Sequence, residues 1–307
     1  MINTCNEWDP LEAIIVGSAS YANWPTSDPV FAEEGKKTTW TETPVPSGSV
    51  PQEIIDQANR ELDTLSETLI RYGATVYRPQ PMNFIETQGM YNYCPRDRLL
   101  VYGDTVVDVN MMYPCRNQEI NNYSRLLSDA RNILTMPRDQ DMVLDAANVC
   151  RLGDTWLFLE SASGNRAAYE WLSAQFPKVT IELCNFYAGV HIDSTIVPLR
   201  QGLVMLNASR VNPDNCPRAF DSWEKIWVTD EMIVPQSFHQ YPYASKWIAM
   251  NMLVLDPETV ILDAAQTQLS TILNQHGIDT IPLTLSHSRT LGGGFHCVTL
   301  DTRRQHD

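Results

Sequence analysis

One of the seven cysteines in this chain stands in the setting of a nucleophile. Cys297 follows three consecutive glycines, 292–294, which let the backbone approach a ligand closely. The other cysteines lie among apolar or turn residues, the usual context of a buried and inert thiol. A free thiol has a pKa of about 8.5 and is mostly neutral at pH 7, so a reactive Cys297 needs an activating environment. We therefore expect other parts of the chain to supply the acid and base.

One histidine and three carboxylates are the groups that would work with such a thiol. His191 is the best candidate for a general acid and base, because its titration range suits proton transfer near neutral pH. Asp145 would orient the His191 ring and stabilise its protonated form. Asp97 and Asp193 have no obvious partner in the sequence. Two acids that converge on a pocket suit a delocalised cation such as guanidinium, so the set favours a guanidine-modifying enzyme over a protease or an amidase.

The neighbourhood of Cys297 indicates no further chemistry. His296 precedes Cys297 directly, but adjacent residues of a strand point to opposite faces, so we interpret His296 as structural. The segment 292–297 lacks the lysine and the strand–helix setting of a phosphate-binding loop. The sequence also contains no cluster with the spacing of metal ligands. We expect neither a metal nor a cofactor.

The candidate residues stand at similar places in a repeated pattern. Each copy has an opening polar segment, a strand, a turn, a second strand, a helix and a third strand. The clearest copy opens at 94–97 and continues with strands over 98–102 and 105–109 and a helix over 117–129. The openings recur about every 50 residues, at Asp97, Asp145, Asp193, Asn251 and Cys297.

The last copy is complete only if the strand 13–16 and the helix 51–72 close a ring with the C-terminal segment. With this split unit, residues 1–307 form one α/β domain of five ββαβ modules. The alternative is a doubly wound sheet whose polar residues are turn formers and caps, but chance placement does not explain why each of them precedes a strand. If the modules circle an axis, the opening residues meet in a central channel; they are Asp97, Asp145, His191, Asp193, Ser245, Asn251 and Cys297.

The composition limits the classes of partner. The 307 residues include 22 Lys and Arg and 37 Asp and Glu, and the formal net charge of −15 argues against a nucleic acid or an anionic membrane. No stretch approaches the roughly 20 apolar residues that cross a bilayer, and the first residues lack a signal-peptide pattern. Seven cysteines without a CxxC pair indicate reduced thiols. We expect a cytoplasmic protein.

Five stretches of the chain resemble the amidinotransferase family, in particular its bacterial branch of inosamine-phosphate and toxin-pathway enzymes. They follow the order of the family over nearly the whole length and cover 6–17, 94–97, 145–149, 191–200 and 287–297. The last two, HIDSTIVPLR and HSRTLGGGFHC, are the most specific. The resemblance implies a five-module, pseudo-symmetric α/β-propeller, which is the fold of guanidino-group-modifying enzymes.

The resemblance also implies a ping-pong transfer. By it, Cys297 attacks the guanidinium carbon of L-arginine, ornithine leaves, and an acceptor amine takes the amidino group from the sulfur. His191, held by Asp145, protonates the leaving amine and later deprotonates the acceptor. Asp97 and Asp193 match the positions that hold the guanidinium nitrogens.

Two further positions are carried over from the family. Arg210 matches the residue that binds the α-carboxylate of the donor, and Ser245 matches one of two serines near that end of the donor. Where the family often has the second serine, this chain has Ala244, and of an Arg-x-Arg pair only Arg116 is present. The link over 130–144 is shorter than in relatives and the tail after residue 304 is nearly absent, so acceptor choice is expected to differ.

Three functions are compatible with these residues. A transferase passes the amidino group to an amine, whereas a hydrolase of the arginine deiminase or dihydrolase type lets water attack and releases citrulline or urea-type products. A non-catalytic protein would bind arginine without reaction. The expected partners are the L-arginine donor, a small amine acceptor and, in a homodimer, a second copy of the chain. Glycine, lysine, an aminocyclitol phosphate and a toxin precursor all fit as acceptor.

Overall fold

Small sheets of common design form the framework of the described structure. The computed structural model describes residues 2–37, 45–138, 141–187, 189 and 191–305. Within these residues the strands are β1 (Leu11–Val16), β2 (Asn23–Trp24), β3 (Gly48–Ser49), β4 (Thr75–Tyr77), β5 (Leu99–Tyr102), β6 (Thr105–Asp108), β7 (Asn132–Thr135), β8 (Val149–Arg151), β9 (Thr155–Leu159), β10 (Thr180–Cys184), β11 (Ile196–Arg200), β12 (Leu203–Asn207), β13 (Glu224–Val228), β14 (Leu253–Asp256), β15 (Thr259–Asp263), β16 (Asp279–Leu283) and β17 (Thr299–Arg304).

The helices lie between these strands. The α-helices are α1 (Pro29–Lys37), α2 (Gln52–Tyr72), α3 (Pro95–Arg98), α4 (Ser124–Asp129), α5 (Arg166–Gln175), α6 (Thr267–Gln275) and α7 (Ser288–Leu291). The 3₁₀ helices are Pro114–Tyr123, Ala146–Asn148, Arg218–Phe220, Asp230–Met232 and Lys246–Met250.

The three-stranded sheets repeat one pairing pattern. Their strand orders are β17-β1-β4, β5-β6-β7, β8-β9-β10, β11-β12-β13 and β14-β15-β16. In each sheet the middle strand is antiparallel to the first strand and parallel to the third. A parallel third strand requires a crossover, which is where the helix of a ββαβ unit lies. The predicted α/β class, the five modules and the pairing of the N-terminal strand β1 with the C-terminal strand β17 are confirmed.

Helix α2 shows how the sequence builds a crossover. Its apolar residues recur at three- and four-residue spacing and are buried on one face of the helix. The helix ends at Gly73, whose positive φ of 111° is the left-handed conformation that glycine adopts without strain. The predicted helix 51–72 therefore agrees with the structure within one residue.

Two crossovers depart from the pattern. The predicted helix 117–129 is a 3₁₀ helix over Pro114–Tyr123 followed by the short α4. Asn117 explains part of the difference, because its side chain accepts a hydrogen bond from the backbone N–H of Met111 instead of facing solvent. Between β12 and β13 the crossover contains only the 3₁₀ helix Arg218–Phe220, and Pro213 and Pro217 disfavour an α-helix there.

A buried ion-pair network joins three of the modules. Arg151 in β8 donates to both carboxylate oxygens of Glu7 at 2.9 Å and to Asp301 in β17 at 2.9 and 3.1 Å. It also donates to the carbonyl oxygen of Val101 in β5 at 2.8 Å. All of these groups are buried, so each charge depends on its partners for compensation. The network fixes the N-terminal segment against the centre of the fold.

Within the described residues, no helix combines the length and the apolar composition that crossing a bilayer requires.

We predict that Arg151→Met destabilises the protein by at least about 3 kcal/mol, because it leaves two buried carboxylates without their main partner. Urea denaturation followed by circular dichroism measures the change. The control is Arg166→Met, which removes an exposed ion pair with Glu160 and should cost less than about 1 kcal/mol. Equal effects of the two substitutions would show that the network does not hold the modules together.

Candidate active site

The opening segments of the modules meet at one place. Asp97 lies in α3 just before β5, and Asp145 directly precedes the 3₁₀ helix that leads into β8. Asp193 and Asn251 precede β11 and β14, and Cys297 precedes β17. Hydrogen bonds join Asp193, Asn251 and Cys297. His191 lies between Asp145 and Asp97, at 3.1 and 3.6 Å. Because each of them occupies the same place in its module, the repeated topology itself brings them together.

Cys297 is buried and its thiol is hydrogen-bonded. Its Sγ lies 3.2 Å from Oδ2 of Asp193, and its backbone N–H donates to Oδ1 of Asn251 at 3.0 Å. Burial raises the pKa of the Cys297 thiol well above its usual range, and the negative charges of Asp193 and Asp97 raise it further. The thiol is therefore protonated at neutral pH before a ligand binds.

His191 lies between two carboxylates. Its Nε2 is 3.1 Å from Oδ2 of Asp145, whose Oδ1 accepts the backbone N–H of Met112 at 2.8 Å. Its Nδ1 is 3.6 Å from Oδ1 of Asp97. Burial lowers the pKa of His191, but the charge of Asp97 and the hydrogen bond to Asp145 outweigh it and raise this pKa to about 9. The ring therefore carries a proton at neutral pH.

Asp97 presents one occupied and one open oxygen. Its Oδ2 accepts a hydrogen bond from Nη1 of Arg116 at 2.8 Å, and Arg116 is held in turn by both oxygens of Glu119. Its Oδ1 is buried and has no hydrogen-bond partner among the described residues. Burial raises the pKa of the Asp97 carboxyl, although His191 and Arg116 lower it. The pairing with Arg116 is not apparent in the sequence, where Asp97 has no obvious partner; the retained Arg116 is the only signal that points to it.

Arg210 and Ser245 lie together on another part of the site. Arg210 donates to Oγ1 of Thr195 at 2.8 Å, to Oγ of Ser194 at 3.2 Å and to Oγ of Ser245 at 3.4 Å. Its guanidinium stacks over the ring of Tyr187 at 4.3 Å from the centroid. Burial lowers the pKa of Arg210. Among the described residues no carboxylate forms an ion pair with Arg210, so the group is suited to bind an anion.

A cavity of about 300 Å³ connects the two groups of residues. Its lining includes Cys297, His191 and Asp193 as well as Arg210 and Ser245. The thiol, the imidazole and one carboxylate therefore share a single space with the guanidinium of Arg210. A molecule with a cationic group near Cys297 and an anionic group near Arg210 matches this distribution of charge.

The interpretation of His296 needs a correction. Residues 295–298 form a turn and not a strand, so neighbouring side chains do not alternate between two faces. Nδ1 of His296 lies 2.8 Å from Oδ2 of Asp193, the same oxygen that Sγ of Cys297 reaches. His296 is thus in contact with the site. The expectation that it faces away from the chemistry was wrong.

The central groups also have a spacing that metal ions accept. Ligand atoms of Asp97, His191 and Cys297 lie within 4.8 Å of one another. The positive charge of His191 disfavours a cation at this position. The expectation of no metal and no cofactor stays a prediction.

Known proteins resemble this chain along its whole length, although no family model matches it. Inosamine-phosphate amidinotransferase 1 of Streptomyces griseus is 40% identical, over 99% of this chain and 97% of the relative. The solved structure of that type of enzyme from Streptomyces griseus has a TM-score of 0.89 at 38% identity, and it covers 100% of this chain and 98% of its own. SxtG, an amidinotransferase of the saxitoxin pathway of Microseira wollei, has a TM-score of 0.88 at 27% identity with the same coverage. The resemblance noted in the sequence is confirmed, and the chain belongs to the amidinotransferase family.

Proposed function

We propose that this amidinotransferase moves the amidino group of L-arginine to a small amine through a covalent amidino-cysteine at Cys297, with release of ornithine. The observation that carries the proposal is the position of two carboxylates close to the thiol of Cys297. Asp193 contacts Sγ directly. Asp97 has a buried oxygen that accepts no hydrogen bond among the described residues and lies 3.6 Å from Nδ1 of His191, and ligand atoms of Asp97 and Cys297 lie within 4.8 Å of each other. Two acceptors next to a nucleophile fit the planar, hydrogen-rich guanidinium group.

The donor would bind at both groups of residues. Its guanidinium nitrogens would donate to Asp97 and Asp193, which are otherwise incompletely satisfied. Its α-carboxylate would pair with Arg210, supported by Ser245. Charged hydrogen bonds of this kind are worth roughly 1.5–3 kcal/mol each. A substrate that ends in a cation and an anion is thus favoured over a simple alkylguanidine.

Binding of the donor would also activate the nucleophile. The pKa of the free Cys297 thiol is high because two carboxylates surround a buried group. A guanidinium cation offsets their charge and so lowers the free energy of the thiolate relative to the thiol. Oδ2 of Asp193 is the acceptor that lies nearest to the thiol hydrogen. Cys297 therefore becomes reactive when its substrate is present and stays protected otherwise.

In the first half-reaction the sulfur of Cys297 bonds to the guanidinium carbon, while the thiol hydrogen moves to Asp193. Protonated His191 donates a hydrogen to the nitrogen that leaves, and the carbon–nitrogen bond breaks. The amidino group stays on sulfur as a cationic thiouronium, and His191 is left neutral. Ornithine departs after its amine has taken the hydrogen from Asp193.

In the second half-reaction an acceptor enters as an ammonium ion and gives one hydrogen to His191. Its nitrogen bonds to the amidino carbon, the carbon–sulfur bond breaks, and the second ammonium hydrogen returns to the thiolate of Cys297. His191 regains its proton and the enzyme its starting state. A hydrolase would use water at this step, and the two differ in whether water is excluded from the thiouronium.

We predict that arginine alone, without an acceptor, adds one amidino group to Cys297 and releases about one equivalent of ornithine. Intact-mass spectrometry and amino-acid analysis measure both quantities. Cys297→Ala should form no adduct, yet bind arginine within about 1–2 kcal/mol of the wild-type affinity because both carboxylates remain. Sustained formation of citrulline or urea would favour the hydrolase, and tight binding without an adduct would favour the binding protein.

We predict that Asp193→Asn weakens arginine binding by about 1.5–3 kcal/mol, since the neutral amide replaces one charged contact. The measurement is calorimetric titration in the Cys297→Ala background, so that no chemistry follows binding. Asp214→Asn, at an exposed position, serves as the control and should leave the affinity unchanged. An unaltered titration for Asp193→Asn would remove this residue from the donor site.

We predict that the ring of His191 titrates near pH 9 in the unliganded enzyme. Asp97→Asn should shift the midpoint to lower pH, because the carboxylate raises this pKa through its charge. Nuclear magnetic resonance of ¹⁵N-labelled histidine, assigned with a His191→Asn variant, measures both midpoints. A wild-type midpoint at the ordinary value of about 6.5 would contradict the role of His191 as the acid of the first step.

A further inference from the structure

Glu7 and His296 have no role in the proposed mechanism, yet their side chains are in contact, and His296 also contacts Asp193. We propose that His296, fixed in place by Glu7, is a positioning residue that holds the Asp193 carboxylate against the thiol of Cys297. The inference rests on the proposed function, in which Asp193 receives the thiol hydrogen and binds the guanidinium. It assigns a role to the turn 295–298 and to the N-terminal segment that contains Glu7.

The contacts run in one line from the N-terminal segment to the nucleophile. Oε2 of Glu7 lies 3.3 Å from Nε2 of His296. Nδ1 of the same ring lies 2.8 Å from Oδ2 of Asp193, which is 3.2 Å from Sγ of Cys297. His296 is therefore the side chain that fixes the carboxylate oxygen nearest to the sulfur.

Glu7, at the far end of this series of contacts, is held in place by arginines. Arg151 binds both oxygens of Glu7, and Arg96 lies 3.7 Å from one of them. Burial raises the pKa of Glu7, but Arg151, the hydrogen bond from His296 and the charge of Arg96 bring it well below its usual range. Glu7 is thus a fixed anion and a dependable acceptor.

The turn that contains His296 is held as well. Oδ1 of Asn251 accepts the backbone N–H groups of His296 and of Cys297, at 3.1 and 3.0 Å. Nδ2 of Asn251 donates to the backbone carbonyl of Asp193 at 3.3 Å. The backbones are therefore fixed independently of the ring, and loss of the ring should free the Asp193 carboxylate without displacing Cys297.

The hydrogen bond between His296 and Asp193 has a defined direction. Burial raises the pKa of Asp193, but the hydrogen bond and charge of His296 bring it down to about 2, so this carboxylate is ionised and accepts. Nδ1 of His296 must then carry the hydrogen. Without that donor the carboxylate can rotate away from the sulfur, and displacement of a reacting group by about 1 Å costs as much as 100-fold in rate.

Two substitutions separate positioning from simple loss of a ring. Asparagine at 296 places its amide nitrogen near the position of Nδ1 and keeps a donor for Asp193. Glutamine reaches the position of Nε2 and keeps a donor for Glu7 only. At saturating arginine without acceptor, we expect His296→Gln to form the Cys297 adduct at least about 10-fold more slowly than the wild type, and His296→Asn within about threefold of it.

The outcomes of this experiment are distinct. Equal rates for folded His296→Asn and His296→Gln, whether both fast or both slow, would overturn the positioning role. A wild-type enzyme that forms no adduct would instead refute the proposed function. In the wild-type protein, ¹⁵N-histidine spectra should show a hydrogen on Nδ1 of His296; a ring with its hydrogen on Nε2 alone would overturn the proposal even if the variants do not fold.

Discussion

A carboxylate buried without a partner costs several kcal/mol, and the candidate site contains three buried carboxylates, Asp97, Asp145 and Asp193. The charge of each carboxylate is compensated by different partners. Asp145 accepts a backbone N–H and the ring of His191, Asp97 is paired with Arg116 through one oxygen only, and Asp193 is bound by His296. The compensation stays incomplete at the open oxygen of Asp97 and at the thiol. The site therefore holds buried negative charge that a bound cation would compensate.

The repeated architecture explains how such a centre can be assembled. Each module begins with a short polar segment before its first strand, and the first and middle strands of each sheet are largely buried. Polar groups are thus concentrated at the module openings, where they satisfy one another, whereas the sheets pack through the hydrophobic effect. Arg151 extends the same principle beyond the site, since it binds both Glu7 and Asp301 and so joins the N-terminal segment to β8 and β17. The sheets of each module therefore supply stability, and its opening segment supplies the polar groups of the site.

Much of this arrangement can be predicted from the sequence, and the limits have physical causes. The period of the openings, the turn glycines and the apolar strands predict five modules because these are local signals. The glycines before Cys297 and the placement of His191, Asp145, Asp97 and Asp193 ahead of strands predict which residues meet. The pairing of Arg116 with Asp97 and the contact of His296 with Asp193 depend on side-chain directions in a 3₁₀ helix and a turn, which hydrophobic periodicity does not describe. For the absence of an α-helix between β12 and β13, the sequence offers only two indications, Pro213 and Pro217.

The pairing of β1 with β17 has a consequence for the order in which the molecule becomes functional. The first sheet gains its outer antiparallel strand only when the last strand of the chain has been synthesised, and Cys297 lies two residues before that strand. Contacts that are so distant in sequence form late and fold slowly. The pairing of β17 with β1 therefore also determines where Cys297 is placed. The aspartates and His191 are thus joined by the thiol of Cys297 only when two strands from opposite ends of the sequence pair, so assembly of the site depends on that one long-range contact.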